Sequence, residues 1–381
     1  MTGPPPLTLY AHLPWCVRKC PYCDFNSHTA GSAPPLERYV DALVIDLEAE
    51  AVRAGRRPLG SVFLGGGTPS LFPAGQIERL LAAVGQTFVV ADDAEVTMEV
   101  NPGAIEHDDL AGYRAAGVNR LSIGAQSFSP DSLRALGRIH AVGEIGQCVA
   151  AARGAGFDNV NLDLMHGLPG QDAAGACRDL EAALSLRPEH LSWYELTLEP
   201  NTVFHARPPA GLPDEDSAAA IRDAGAKLLA RAGFEQYEVS AWARPGRRCR
   251  HNLNYWRFGD YLGIGAGAHG KLTTGECILR SVKPAHPLEY MRRMEHGDCP
   301  TPEEVAPADR LFEFMLNALR LNEGFDEAGV TRLTGLPRDA VRPRLEALSG
   351  RGLLTEFASG RWRPSDLGYR FLNDLQAEFL P

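Results

Sequence analysis

From residue 7 to about 235, short apolar runs alternate with longer stretches whose apolar positions recur on a helical repeat. The runs Leu7–His12, Ser61–Leu64, Glu95–Val100, Arg120–Ile123, Asn159–Met165 and His190–Leu196 predict six strands. After the first of them, Leu36–Ala54 places Val40, Leu43, Val44, Leu47 and Val52 on one amphipathic helix. Repeated strand–helix units predict an α/β fold with a parallel sheet, either doubly wound or a barrel. Six units fall short of the eight of a closed barrel, so a partial, open (β/α)6 barrel fits the count.

Polar residues favour the barrel by crowding the C-terminal ends of those runs. The groups are Gly65-Gly-Gly-Thr68, Glu99-Val-Asn-Pro102, Gln126-Ser127, Asp163 with His166, and Glu195 to Thr197. Barrels and open sheets build their sites at that edge. Farther on, Ser217–Ala232 predicts a helix and Tyr237–Trp242 a strand. From Ala308 the pattern turns helical, with Asp309–Leu321, Asp326–Leu333 and Pro337–Leu348. A hairpin of 353–357 with 361–363 and a last helix over Ser365–Phe379 complete a winged-helix-like outline. The expected units are therefore a core at 1–235, a connecting segment at 236–305 and a C-terminal helical domain at 306–381.

Composition narrows the class. A net charge of −10 argues against general nucleic-acid binding. No run of about 18 apolar residues offers a membrane span, and Met-Thr-Gly-Pro-Pro-Pro is no signal peptide, so a cytoplasmic protein is expected. Contact with a membrane-bound partner stays compatible with that. Of eight cysteines, five are scattered as expected of reduced thiols.

The other three, Cys16, Cys20 and Cys23, form C-x3-C-x2-C directly after the first strand. Three thiolates on one loop can hold three corners of a [4Fe–4S] cube and leave the fourth iron to a small molecule. Pro14 and Pro21 discourage a continuous helix there, and Arg18 and Lys19 could lower thiol pKa values. Structural zinc is the alternative, although His12 and His28 do not complete a familiar zinc pair. Gly65-Gly-Gly lets backbone amides approach a polar ligand, glycine having no Cβ in the way. Glu99, Gln126, Arg138 and Asp163 suit a ligand with an ammonium, a carboxylate and a ribose.

The segment from Cys249 to Tyr255 holds Cys, His251 and Tyr, residue types that ligate haem iron elsewhere. Arg244, Arg247, Arg248, Arg250 and Arg257 suit two propionates. Trp242, Tyr255, Trp256, Phe258 and Tyr261 could supply a flat apolar wall. A solvated basic loop is the alternative. Gly263-x-Gly-x-Gly-x-His-Gly270 lacks the context of a dinucleotide site and is expected to be a turn lining the cleft.

Tyr10-x-His12-x-Pro14-Trp-Cys-x3-Cys-x-Tyr-Cys resembles the radical S-adenosylmethionine superfamily, and within it the oxygen-independent coproporphyrinogen oxidase group. Gly-Gly-Gly-Thr-Pro at 65–69, Glu99-Val-Asn-Pro, Gly124-Ala-Gln-Ser-Phe, Leu136-Gly-Arg-Ile-His and Asn161-Leu-Asp-Leu-Met-His-Gly-Leu-Pro extend the likeness over nearly the whole chain. The resemblance implies a cluster on Cys16, Cys20 and Cys23 with S-adenosylmethionine on the open iron. Tyr10, Tyr22, Gly66, Gly67, Thr68, Glu99, Gln126, Arg138 and Asp163 would surround that cofactor. An electron from the cluster would cleave it to a 5′-deoxyadenosyl radical.

Coproporphyrinogen dehydrogenases carry a further cysteine where this chain has Phe25, and a longer N-terminal extension. Cys-x-His251-Asn-Leu-Asn-Tyr-Trp256 is similar instead to the HemW-type haem chaperones. That likeness implies haem, held first of all by His251, and delivery to an apo-haemoprotein acceptor. An electron donor and a monomer or homodimer are expected with it. Coproporphyrinogen III decarboxylation is the alternative.

Overall fold

The computed structural model describes residues 3–55, 57–104 and 109–381. Twelve strands form one sheet: β1 (Leu7–Leu13), β2 (Leu59–Gly66), β3 (Val90–Val100), β4 (Arg120–Gln126), β5 (Val160–His166) and β6 (His190–Glu195), then β7 (Glu235–Glu238), β8 (Ala241–Ala243), β9 (Asp260–Ile264), β10 (His269–Thr274), β11 (Cys277–Val282) and β12 (Glu303–Glu304). Their order is β12-β11-β10-β9-β1-β2-β3-β4-β5-β6-β8-β7. β1 to β6 pair in parallel in sequence order, giving the open barrel that the alternating pattern predicts.

β9 adds a seventh parallel strand on the far side of β1. Its glycine run is therefore not simply a turn. Gly263 and Ile264 lie in β9, His269 and Gly270 open β10, and only 265–268 turn between them. Glycine is required here because a Cβ on Gly263 would stand 2.0 Å from the His269 carbonyl oxygen. Likewise 237–242 is not one strand but parts of two, β7 and β8, which pair antiparallel.

Each barrel strand has two faces. Leu9, Ala11, Val62, Leu64, Leu121, Ile123, Leu162 and Leu191 join helix side chains such as Tyr39, Val40, Leu43 and Leu47 in the main core. Helix α1 (Leu36–Ala54) covers that side and ends on Gly55 in the left-handed region, as helix termini often do. Val52, assigned to its apolar stripe, is instead 84 % exposed. The opposite faces carry Thr8, Tyr10, His12, Ser61, Glu95, Glu99, Ser122, Asn161, Asp163 and His190. Tyr10 meets His12, and Ser122, Asn161, Asp163 and His190 form one hydrogen-bonded chain, while Ser61 and Glu95 bond to His251.

A second core gathers Phe314, Leu345, Leu354, Trp362 and Phe379 around a three-stranded sheet of Phe325–Asp326, Arg361–Pro364 and Leu354–Ala358. Glu327 lies beneath this sheet, accepting from Trp362 Nε1 at 2.8 Å and Arg342 at 2.7 Å. The last predicted helix is broken into Asp366–Arg370 and Leu372–Ala377. Among the described residues, no helix is long and apolar enough to cross a membrane.

Candidate cofactor site at the mouth of the barrel

The cysteine loop leaves β1 and is pinned from several sides. Trp15–Cys16 pairs in parallel with His28–Thr29, and the Gly67 amide donates to the Leu13 carbonyl at 2.8 Å. A Cβ on Gly67 would lie 2.6 Å from the Trp15 carbonyl oxygen, so only glycine lets the loop after β2 approach this closely. Each cysteine meets a polar partner. Thr68 Oγ1 donates to Cys16 Sγ at 3.5 Å, Arg138 Nη1 to Cys20 Sγ at 3.7 Å, and Cys23 Sγ lies 3.7 Å from Ser27 Oγ.

Burial pushes the Cys16 and Cys23 thiols up, and their neighbouring cysteines push the same way. Arg18 and Lys19 both tie the loop down, and the Lys19 charge also favours the Cys23 thiolate, as expected of it. Arg18 donates to the Gly137 carbonyl at 2.7 Å and Lys19 to that of Phe25 at 3.2 Å. The guanidinium in contact with a thiol is that of Arg138. Among the described residues, no three His, Cys, Asp or Glu side chains are grouped as ligands of a single ion. A cube needs no such convergence, since each thiolate binds a different iron.

Beside the loop, the Gly66 amide donates to Glu99 Oε2 at 3.0 Å, with Gly66 at φ 124°. Burial, then the nearby Asp163, pushes the Glu99 carboxyl up to about 8. Tyr10 lies next to Glu99, donating to or accepting from His12 Nδ1 at 2.9 Å. Tyr22 packs on Phe204, and its hydroxyl lies in the field of Arg138 and Cys20. Gln126 ends β4 at φ 66°, a left-handed conformation that costs a non-glycine residue energy and often marks a functional position. Tyr194 holds it, donating to Gln126 Oε1 at 2.7 Å. Arg138 Nη2 donates to the Gly124 carbonyl at 2.8 Å, while its buried Nε has no partner among the described residues. Asp163 accepts from Ser122 at 2.9 Å and Asn161 at 2.8 Å.

The donor set fits the cofactor that its sequence suggests. S-adenosylmethionine is a cation with an ammonium, a carboxylate and a ribose. The buried Glu99 carboxylate would welcome the ammonium, Asp163 would accept from the ribose hydroxyls, and the unused donor on Arg138 would welcome the carboxylate. Not every strand-end residue belongs. Glu195 pairs with Arg222 at 2.7 Å, and His166 packs on Trp193 with ring centroids 4.3 Å apart, both away from this group. Tyr194, Ser122 and Asn161 bond directly to Gln126 and Asp163, and the two-residue repeat of β4, β5 and β6 is the sequence signal that points to them.

His251 lies elsewhere. Helix α2 (Arg250–Trp256) packs against β1, β2 and β9, and its first backbone amides donate to Glu95 of β3. The His251 ring is 1 % exposed and stacks on Phe63 at 5.0 Å. Its Nδ1 is 3.2 Å from Ser61 Oγ and its Nε2 3.0 Å from Tyr255 Oη, so both nitrogens are engaged. Burial, then the Arg120 charge, pulls its pKa down to about 3.

The arginines expected to face propionates have other partners: Arg250 meets Asp93, Arg257 and Arg248 meet Glu323, Arg247 meets Asp158, and Arg244 lies over the Phe234 ring. The expected aromatic wall is not one surface either. Phe258 belongs to the C-terminal core and Trp242 to the main core.

Comparison with known proteins completes the picture. Residues 10–181 match the radical SAM superfamily and residues 305–371 the HemN C-terminal domain. Heme chaperone HemW of Escherichia coli is 48 % identical over 379 residues, covering 99 % of this chain and 98 % of that one. The chain belongs to the HemW family of the radical SAM superfamily. Heme chaperone HemW of Haemophilus influenzae is 47 % identical over 99 % of the chain and 98 % of its own length. That of Mycobacterium tuberculosis is 38 % identical over 92 % and 88 %. Among solved structures, coproporphyrinogen III oxidase (HemN) from Escherichia coli, a radical SAM enzyme, superposes with a TM-score of 0.82 at 25 % identity, covering 99 % of this chain and 90 % of that one. The superfamily's cofactors are a [4Fe–4S] cluster and S-adenosylmethionine.

Proposed function

We propose that this protein binds haem and delivers it to an apo-haemoprotein, using a radical SAM barrel as its scaffold. The observation that carries the proposal is full-length likeness to HemW proteins at up to 48 % identity. Cys16, Cys20 and Cys23 are proposed to hold the cluster. Tyr10, Tyr22, Gly66, Gly67, Thr68, Glu99, Gln126, Arg138 and Asp163 are proposed to surround S-adenosylmethionine. When bound, the cluster supplies the electron for reductive chemistry on that cofactor.

His251 is the proposed haem ligand, and its surroundings set a condition. Its Nε2 must leave Tyr255, and helix α2 must open, before iron can reach the ring. Cytoplasmic location, a separate electron donor and a monomeric or homodimeric state belong to the same proposal. So does the division into a core at 1–235, a connecting segment at 236–305 and a C-terminal unit at 306–381.

The test is transfer: haem-loaded protein mixed with an apo-cytochrome is expected to lose its haem spectrum as the cytochrome gains one. Retention of haem against excess acceptor would contradict it. The superposition on coproporphyrinogen III oxidase favours a second reading, oxidative decarboxylation. Phe25, in place of that group's further cysteine, stands against it. Turnover of coproporphyrinogen III by protein with an intact cluster, S-adenosylmethionine and reductant would establish the second reading.

A further inference from the structure

Behind Asp163 lies a chain of buried hydrogen bonds that the cofactor residues do not explain. Asn161, 1 % exposed, sits two residues before Asp163 on the same face of β5. Its Nδ2, with two hydrogens to donate, lies 2.8 Å from Asp163 Oδ1, 2.7 Å from Ser122 Oγ and 3.0 Å from Ser192 Oγ. Ser122 in turn donates to Asp163 Oδ2 at 2.9 Å, and Ser192 also hydrogen-bonds the carboxylate.

The amide oxygen of Asn161 faces the other way, 2.6 Å from His190 Nδ1. That oxygen can only accept, so His190 carries its proton on Nδ1. Its Nε2 then accepts from Tyr237 Oη at 2.7 Å, and Tyr237 Oη accepts from the Cys249 amide at 3.3 Å. One tautomer of a neutral imidazole satisfies every bond. Burial holds His190 in that neutral form.

We propose that Asn161 is a positioning residue for the cofactor: anchored by His190 and Tyr237, it fixes the Asp163 carboxylate to accept the two hydroxyls of the cofactor's ribose. This rests on the reading of Asp163 as a cofactor residue given above. The argument is geometric. A carboxylate free to rotate would be a poor partner for a diol, whereas this one is held at both oxygens by donors from three neighbouring strands. The amide of Asn161 cannot turn over without setting its oxygen against Asp163 and its NH2 against the His190 N–H.

The experiment compares S-adenosylmethionine with its 2′,3′-dideoxy analogue by anaerobic equilibrium dialysis, on protein whose iron content is intact. Wild type should favour the diol. Asn161→Ala should lose about tenfold in affinity for S-adenosylmethionine, in keeping with a broken charged hydrogen bond, and leave the analogue unchanged. Added to Asp163→Ala, it should cause no further loss. Equal weakening of both cofactors, or an unaltered preference for the diol, would overturn the proposal. If Asp163→Ala itself leaves that preference intact, the reading of Asp163 fails and the proposal falls with it. Should Asn161→Ala lose its cluster, Ser122→Ala removes one donor to Oδ2 and carries the same test, with a smaller loss expected.

Discussion

Glu99 is held between two demands: burial and Asp163 favour its protonated form, and the Gly66 amide favours its charge. With a folded-state value near 8 against 4.5 in the unfolded chain, its protonated form stabilises the apoprotein below about pH 4.5. That contribution is lost as pH rises through about 8. Cofactor affinity should run the other way, because a cation prefers the carboxylate. Binding of S-adenosylmethionine is expected to strengthen as pH rises through about 8, and Glu99→Gln should flatten the profile. A wild-type profile as flat as that of the variant would remove Glu99 from the site. Gly67 makes a second, steric prediction. Gly67→Ala drives a methyl group into the backbone at Pro14 and Trp15 and should displace the cysteine loop. Iron content after anaerobic reconstitution should fall as it does for Cys16→Ala; full occupancy would contradict the claim.

At the scale of elements, a buried charge cluster joins helix α1 to the strands beside β1. Lys283 Nζ reaches Asp46 and Glu50, the latter at 2.6 Å, and Tyr290 donates to Asp46 at 2.9 Å. Asp46 also accepts from the Gly265 amide at 3.2 Å, in the turn between β9 and β10. Lys283→Met would leave Asp46 buried without its cation, while Glu50 keeps Arg53 at 2.7 Å, a loss of about 3–5 kcal/mol. Chemical denaturation should show it, and a change below about 1 kcal/mol would mean that the pair is solvated.

This cluster also shows why β9 to β11 escaped the sequence. Strands β1 to β6 follow one another with helices between, so hydrophobic period alone finds them. β9 pairs with β1 across some 250 residues of chain, and its polar and glycine-rich run is fixed by long-range partners: Asp46 and the backbone of β1. The bounds of helix α1 were legible to the residue, since one side of it covers the sheet, although Val52 is exposed and Val44 only half-buried.

Across the whole molecule, the mouth of the barrel was legible and its other end was not. Cys16, Cys20, Cys23, Glu99 and Gln126 lie at a strand end or on the loop after it, so linear order reports their neighbourhood, whereas Asp163 sits in the middle of β5 and Arg138 follows the helix Pro130–Ala135. The arginines around His251 looked free in the sequence because their carboxylate partners, Asp93, Asp158 and Glu323, come from distant segments. Those ties matter to the function proposed. Glu323 accepts from Arg248 at 3.2 Å and Arg257 at 2.7 Å, and Arg320 lies over the Trp256 ring at 4.2 Å, joining the ends of helix α2 to the C-terminal segment.

Such exposed pairs contribute about 0–1 kcal/mol each, so the cost of releasing α2 lies mainly in its buried contacts, the His251 stack on Phe63 and the Asn254 bonds to Thr8 and Asp260. Haem loading should therefore raise amide hydrogen exchange across 250–256. Unaltered protection there would exclude His251 as the ligand without excluding haem. Titration of haemin into the anaerobically reconstituted protein, followed through the haem absorption spectrum, tests the central claim most directly. The account predicts saturable one-to-one binding; a linear, non-saturating response from protein with an intact cluster would contradict it.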